Sequence, residues 1–132
     1  MNLASRLEAM CKQYGIEVLI SGHMHARVEG RFLARPLDRV VAAGKTRATD
    51  IYELVAERAG ATERQARRCA EFAAVVAAYR ARDFAGALRL AAGYEAEFGR
   101  DVAAGKYAER CARLLERPPP EDWDCAVVLT AK

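Results

Sequence analysis

Apolar residues recur every three or four positions between residues 69 and 115, the spacing that gives an α-helix one buried face. Two breaks divide this pattern, because Asp83 is a favourable N-cap and Gly99 followed by Asp101 supplies a stop and a new cap. The sequence therefore predicts three amphipathic helices with short joints. Their predicted buried residues are Cys69, Phe72, Ala73, Val76 and Tyr79, then Phe84, Ala87, Leu88, Ala91, Tyr94 and Phe98, then Ala104, Tyr107, Ala108, Cys111, Leu114 and Leu115.

The N-terminal part has a different periodicity, which predicts an α+β arrangement. A first helix should end at Gly15, and the near-alternating residues 16–20 predict a strand. Residues 33–41 and 48–55 predict two further strands, joined by 42–47 as a β-hairpin. The buried positions of the first helix are expected to be Leu3, Leu7, Met10, Cys11 and Tyr14.

Residues 78–88 resemble the turn of a tetratricopeptide repeat, in which small residues let two helices pack closely. Only about one repeat is present, and repeat helices need neighbours to bury both faces. We therefore expect this unit to dock either on the hairpin or on a second copy of the chain. We interpret its aromatic residues as core rather than as a peptide-binding groove; they are Phe72, Tyr79, Phe84, Tyr94, Phe98 and Tyr107.

The C-terminal tail begins at Pro118–Pro120, since a run of prolines cannot continue a helix. The chain's single tryptophan, Trp123, follows and is expected to act as an apolar anchor. Residues 125–130 are apolar and strand-like, so they should add to a sheet edge. An exposed acidic Trp motif that binds a partner is the alternative.

Composition limits the functions that this chain can have. Its 132 residues suffice for one ordinary domain or two small modules, and a net charge of +3 does not predict nucleic-acid binding. Four widely spaced cysteines without a C-x-x-C pattern favour a reducing, cytoplasmic setting. No apolar run approaches the roughly 20 residues that span a bilayer, so we expect no membrane segment in this chain.

His23-Met24-His25 is an H-x-H pattern, and on an extended chain it would offer two imidazoles to a metal ion. No third ligand is evident nearby. We therefore prefer two surface histidines in a loop and predict no metal site.

Asn2 and Arg6 lie four residues apart in the first predicted helix, so both side chains should project from one face. Gly44-Lys45-Thr46 and Ile51-Tyr52-Glu53-Leu54 follow in the hairpin. Together these motifs resemble the last part of a class III adenylate/guanylate cyclase catalytic domain. The first eight residues resemble the family motif G-D-x-V-N-x-A-x-R-L, with Met1 where the family usually has valine. Without that resemblance, an N-cap asparagine and a solvated arginine would be the simpler interpretation.

The hairpin departs from the family at one position. The family often has a lysine before the glycine, where it reaches the triphosphate, and this chain has Ala43 there. Lys45 remains as a candidate for contacting phosphate. The G-K-T sequence is not a P-loop, because Arg39 stands where that motif needs a glycine. Residues 107–132 resemble the tail of bacterial cyclases with sensor domains, in which the position of Cys125 is usually glycine.

The resemblance implies a division of the chain into three parts. Residues 1–58 would be the C-terminal fragment of a ferredoxin-like cyclase domain, with a helix, a strand and a β-hairpin. Residues 59–117 would be a TPR-like helical module, and 118–132 a tail. We expect a fragment, a late start codon or a decayed gene. The resemblance also allows a parent protein that is anchored in a membrane through N-terminal segments missing from this sequence.

The resemblance also implies a chemistry. These cyclases convert ATP or GTP to the 3′,5′-cyclic nucleotide and pyrophosphate, using two Mg²⁺ or Mn²⁺ ions at a homodimer interface. Carried over, Asn2 would orient the ribose and Arg6 would stabilise charge developing at the α-phosphate.

The family's metal-binding aspartates and base-selecting residues precede the Asn/Arg motif, so the resemblance assigns no metal or other cofactor to this chain. We expect the isolated chain to be inactive. A non-catalytic helical interaction module is the alternative function.

Overall fold

The computed structural model describes residues 3–42 and 46–129, with side chains from 9 to 41 and from 46 to 128. A four-stranded sheet in the order β1-β3-β2-β4 is combined with helices, which confirms the predicted α+β class. The ferredoxin-like and TPR-like descriptions stay predictions. The elements are α1 (Leu3–Tyr14), β1 (Leu19–Ser21), α2 (Gly22–Val28), β2 (Phe32–Ala42), β3 (Thr49–Glu57), a 3-10 turn (Arg58–Gly60), α3 (Glu63–Arg80), α4 (Phe84–Phe98), α5 (Val102–Glu116) and β4 (Val127–Leu129).

α1 ends where the sequence predicts, because Tyr14 is its last residue and Gly15, with a φ of 65° in the left-handed region, follows it. The Ile16 N–H donates to the carbonyl of Cys11 at 3.0 Å, the bond that closes a Schellman motif. Because Gly15 and Ile16 form the turn that ends α1, β1 begins later than predicted. It covers Leu19–Ser21 instead of 16–20.

The histidine segment is not a loop, so that prediction is wrong. Residues 22–28 form the short helix α2, and the Ser21 hydroxyl accepts the N–H of Met24 at 3.2 Å. A serine in this position is a favourable N-cap, which explains why a helix begins directly after the strand.

β2 and β3 form the predicted antiparallel hairpin. Arg35 and Asp38 lie opposite alternate residues of β3, because Leu37 is inserted between them as a β-bulge. Pro36 lies at the same irregularity, where a strand tolerates a residue that has no N–H. The bulge therefore turns Arg35 and Asp38 to the same side of the sheet, towards the helices.

The three predicted helices are present as α3, α4 and α5. Together they form the helical segment. Asp83 and Asp101 cap α4 and α5, each accepting a backbone N–H at 2.9 Å, and Gly99 ends α4 with a φ of 95°. α3 begins with a capping box between Thr62 and Gln65, which the sequence analysis did not identify.

The helical segment docks on the hairpin, since α3 packs along β2 while α4 packs against α3 and α5. Leu115 was predicted to be buried but is 48% exposed, because it lies in the last turn of α5. The aromatic core is confirmed: Phe72, Tyr79, Phe84, Tyr94 and Tyr107 are buried, and Phe98 packs against them. Core residues come from all three predicted ranges, whose boundaries stay a prediction.

The tail folds back onto this core, as predicted. The ring of Trp123 lies edge-on to Tyr79 and Phe84, at centroid distances of 5.2 and 5.5 Å. β4 adds to the sheet edge by pairing in parallel with the end of β2, although it begins at Val127, two residues later than predicted. Trp123 thus anchors the tail on the helical segment.

Candidate functional site

The candidate catalytic and phosphate-contacting residues lie largely outside the part of the chain that the structure describes. Asn2, Ala43 and Lys45 fall outside the described residues. Arg6 belongs to α1, but its side chain lies outside the described part. The pairing of Asn2 with Arg6 therefore stays a prediction. The structure does show the contacts that hold α1, the helix to which Arg6 belongs.

The C-terminal end of α1 is fixed against β2 and α5. Tyr14, the last residue of α1, is 1% exposed, and its hydroxyl donates to Asp38 Oδ2 at 2.5 Å. The Lys106 ammonium lies 5.4 Å from the centre of the Tyr14 ring. A Cβ added to Gly15 would lie 2.8 Å from Cγ2 of Val102, so glycine at this position allows the chain to pass close to α5.

Asp38 is the centre of a buried polar group, the Asp38 cluster, formed with Tyr14, Tyr107 and Arg110. Arg110 donates to both carboxylate oxygens, at 3.0 Å to Oδ1 and 2.7 Å to Oδ2. The Tyr107 hydroxyl donates to the carbonyl of Leu37 at 2.6 Å and lies 3.4 Å from Asp38 Oδ1. One carboxylate thus joins α1, β2 and α5.

The electrostatics of this cluster keep its hydroxyl groups protonated. Burial raises the pKa of Tyr14 above its usual 10.0, and the charge of Asp38 raises it further. Burial also raises the pKa of Tyr107 well above that value. For Arg110, burial lowers the pKa of the guanidinium, but the hydrogen bonds and charge of Asp38 more than offset this and raise it overall. Arg110 therefore stays charged while both tyrosines stay neutral.

A second buried group, the Arg35 cluster, consists of Arg35, Glu53, Phe72, Tyr94 and Asp101. The guanidinium donates to Glu53 at 2.8 Å, to the Tyr94 hydroxyl at 2.8 Å and to Asp101 at 2.9 Å. It also lies 4.5 Å from the centre of the Phe72 ring. Burial lowers the pKa of Arg35, but the two carboxylates more than offset this, so the net shift is upward.

α5 takes part in both clusters and carries the charges in the reverse order to β2. Asp101, the N-cap of α5, pairs with Arg35, whereas Arg110 pairs with Asp38. If α5 lay in the opposite direction on β2, like charges would meet in the core, at a cost of several kcal/mol. The two ion pairs therefore fix the direction of α5 on the sheet.

A groove of about 520 Å³ lies between residues 15–18, β3 and α3. Its charged lining consists of Glu17, Glu53 and Glu57 with Arg68. Carboxylates outnumber the cation, so this groove disfavours a triphosphate.

The two histidines do not form a pair of metal ligands. His23 is exposed, whereas the His25 ring stacks on Tyr52 at a centroid distance of 3.9 Å. On a helix, residues two apart point to different sides. Among the side chains that the structure describes, in residues 9–41 and 46–128, no group of three or more His, Cys, Asp or Glu residues is arranged to hold a metal ion.

None of the helices in the described part combines the length and apolar character needed to cross a bilayer.

Comparison with known proteins finds one similarity of limited extent. A stretch of 55 residues, 42% of this chain, is 47% identical to Adenylate cyclase 1 of Rhizobium meliloti (strain 1021). The matched stretch is 8% of the length of that cyclase. No family model and no solved structure matches the chain. The comparison supports a relationship to a cyclase over this stretch.

Proposed function

We propose that these residues are a portion of a class III nucleotide cyclase, which converts ATP or GTP to the 3′,5′-cyclic nucleotide and pyrophosphate. The single observation that carries the proposal is the 47% identity to an adenylate cyclase over 55 residues. The sequence motif of Asn2 and Arg6 and the observed helix α1 around Arg6 add support.

In this proposal Asn2 orients the ribose, and Arg6 stabilises the charge that develops at the α-phosphate. Two Mg²⁺ or Mn²⁺ ions would be held by aspartates from another part of the enzyme and would supply charge neutralisation at the phosphates. The active enzyme would be a homodimer. A polypeptide of these residues alone is therefore expected to be inactive.

A chimaera tests the proposal. The matching stretch of the Rhizobium cyclase is replaced by the corresponding residues of this chain, extended to begin at Asn2, and cyclic nucleotide formation from Mn-ATP and Mn-GTP is measured. Asn2→Ala and Arg6→Ala should each lower kcat by about a hundredfold or more. Lys12→Ala is the matched control, since Lys12 is an exposed residue of the same helix.

Two results would contradict the proposal. The first is a chimaera whose activity is unchanged by Asn2→Ala and Arg6→Ala. The second is turnover by the purified chain alone with Mn-ATP, which would contradict its predicted inactivity. In the first case, a helical interaction module without chemistry becomes the better hypothesis.

A further inference from the structure

α1 and α5 are distant in sequence but meet at one buried carboxylate. We propose that Asp38 is a positioning residue that couples α1 to α5, so that the packing of the helical segment sets where α1 lies. The consequence for catalysis rests on the proposed function, because α1 carries Arg6. The coupling of α1 to α5 does not depend on the proposed function.

The geometry of the carboxylate supports the coupling. Tyr14 from α1 and Arg110 from α5 both donate to the same oxygen, Asp38 Oδ2, at 2.5 and 2.7 Å. Hydrogen bonds that share an acceptor in a buried site depend on one another. Loss of the α5 donor should therefore alter the bond that holds α1.

The contacts of α1 make this bond important for its orientation. Beside this bond, Lys106 of α5 lies over the Tyr14 ring, and Val102 of α5 lies next to Gly15, which follows α1. Eight residues of helix span about 12 Å, so a tilt of about 10° around Tyr14 moves the Arg6 backbone by about 2 Å. A displacement of 1 Å can cost about a hundredfold in rate, so a small loosening here would be visible in catalysis.

Hydrogen exchange of the α1 amides in the full chain tests the coupling. Tyr14→Phe should raise their exchange rates about tenfold or more, since it removes a hydrogen bond to a charged group. Arg110→Met changes a residue of α5 and should also raise the exchange rates of the α1 amides. Tyr94→Phe is the matched control, because it removes one buried hydroxyl from the Arg35 cluster and should leave α1 exchange within about twofold. Unchanged α1 exchange in Tyr14→Phe or in Arg110→Met would overturn the proposal.

The chimaera separates positioning from simple stability. Tyr14→Phe should lower kcat about tenfold or more while KM stays within about twofold, at a temperature where the variant is fully folded. Raised α1 exchange with unchanged kcat would overturn the positioning role while the proposed function still stands on Asn2 and Arg6. If Asn2→Ala and Arg6→Ala leave the activity of the chimaera unchanged, the proposed function fails. The hydrogen-exchange result still decides whether α1 is coupled to α5.

Discussion

Arg35 and Asp38 lie three positions apart on one strand, and each is 1% exposed, yet they serve different neighbours. Arg35 joins β2 to β3, α4 and α5. Asp38 joins β2 to α1 and α5. α5 is the element that both clusters share.

The two clusters differ in redundancy. Arg35 has two carboxylate partners and two aromatic neighbours, so removal of one partner leaves it paired. Asp38 is the single carboxylate of its cluster and accepts from Tyr14 and Arg110 together. The difference indicates that the Arg35 cluster holds the fold robustly, whereas the Asp38 cluster is sensitive to one change.

The largest expected effect tests this difference in redundancy. Asp38→Ala leaves the guanidinium of Arg110 buried without its carboxylate, and should lower the free energy of unfolding by about 3–5 kcal/mol. Glu53→Ala, the matched truncation in the other cluster, leaves Asp101 paired with Arg35 and should cost only about 1–2 kcal/mol. Urea denaturation followed by circular dichroism measures both. Equal losses would remove the contrast between the clusters.

A glycine substitution at the end of α1 sharpens the comparison. Gly15→Ala adds a Cβ at a φ of 65° and against Val102, and should cost about 2–3 kcal/mol. Gly99→Ala is the control, because its φ is 95° but nothing lies within 4 Å of the added Cβ. If both substitutions cost the same, α1 and α5 do not approach closely. Val102→Ala should restore part of the loss in Gly15→Ala, as thermal unfolding would show.

Alkaline pH should weaken the Asp38 cluster more than the Arg35 cluster. The pKa of Tyr14 in the folded chain is raised by burial and by Asp38, so its contribution to stability is complete below about pH 10 and is lost as pH rises further. Above about pH 10, and up to its pKa in the folded chain, each such tyrosine lowers the free energy of unfolding by about 1.4 kcal/mol per pH unit. For Tyr94, burial raises the pKa but Arg35 opposes the shift.

Stability curves between about pH 9 and 11 check this expectation. Tyr14→Phe should flatten the decline above pH 10 more than Tyr94→Phe does. The reverse order would contradict the electrostatic account of the Asp38 cluster.

The smallest expected effect lies where the tail joins the sheet. Cys125 has a φ of 71°, a left-handed backbone conformation that favours glycine. Cys125→Gly should therefore be more stable than Cys125→Ala by about 1 kcal/mol, since both remove the thiol and only glycine relieves the strain. Equal stabilities would show that this position is not strained.

Most of the fold could be predicted from the sequence, because the signals were local. The helical periodicity, the caps at Asp83 and Asp101, and the stops at Gly15 and Gly99 all act within a few residues of the chain. The packing of Trp123 followed from its size and apolar surface. The error at α2 arose because the histidine segment was interpreted as a loop after the strand, whereas Ser21 is the N-cap of a helix.

The buried charged clusters could not be predicted in the same way. Strict alternation along β2 would place Arg35 and Asp38 on opposite faces, and only the bulge at Leu37 brings both towards the helices. Their partners at α5, Asp101 and Arg110, are 66 and 72 residues away along the chain. Arg110 lies within the tail resemblance of residues 107–132, but nothing in that resemblance connected it to Asp38.

A double-mutant cycle with Tyr14→Phe and Arg110→Met tests most directly the central claim that one carboxylate couples α1 to α5. The free energy of unfolding is measured for the parent chain, both single variants and the double variant. The account predicts a coupling free energy of about 1 kcal/mol or more. Effects that add to within about 0.3–0.5 kcal/mol would contradict it, because they would show that the two donors act independently.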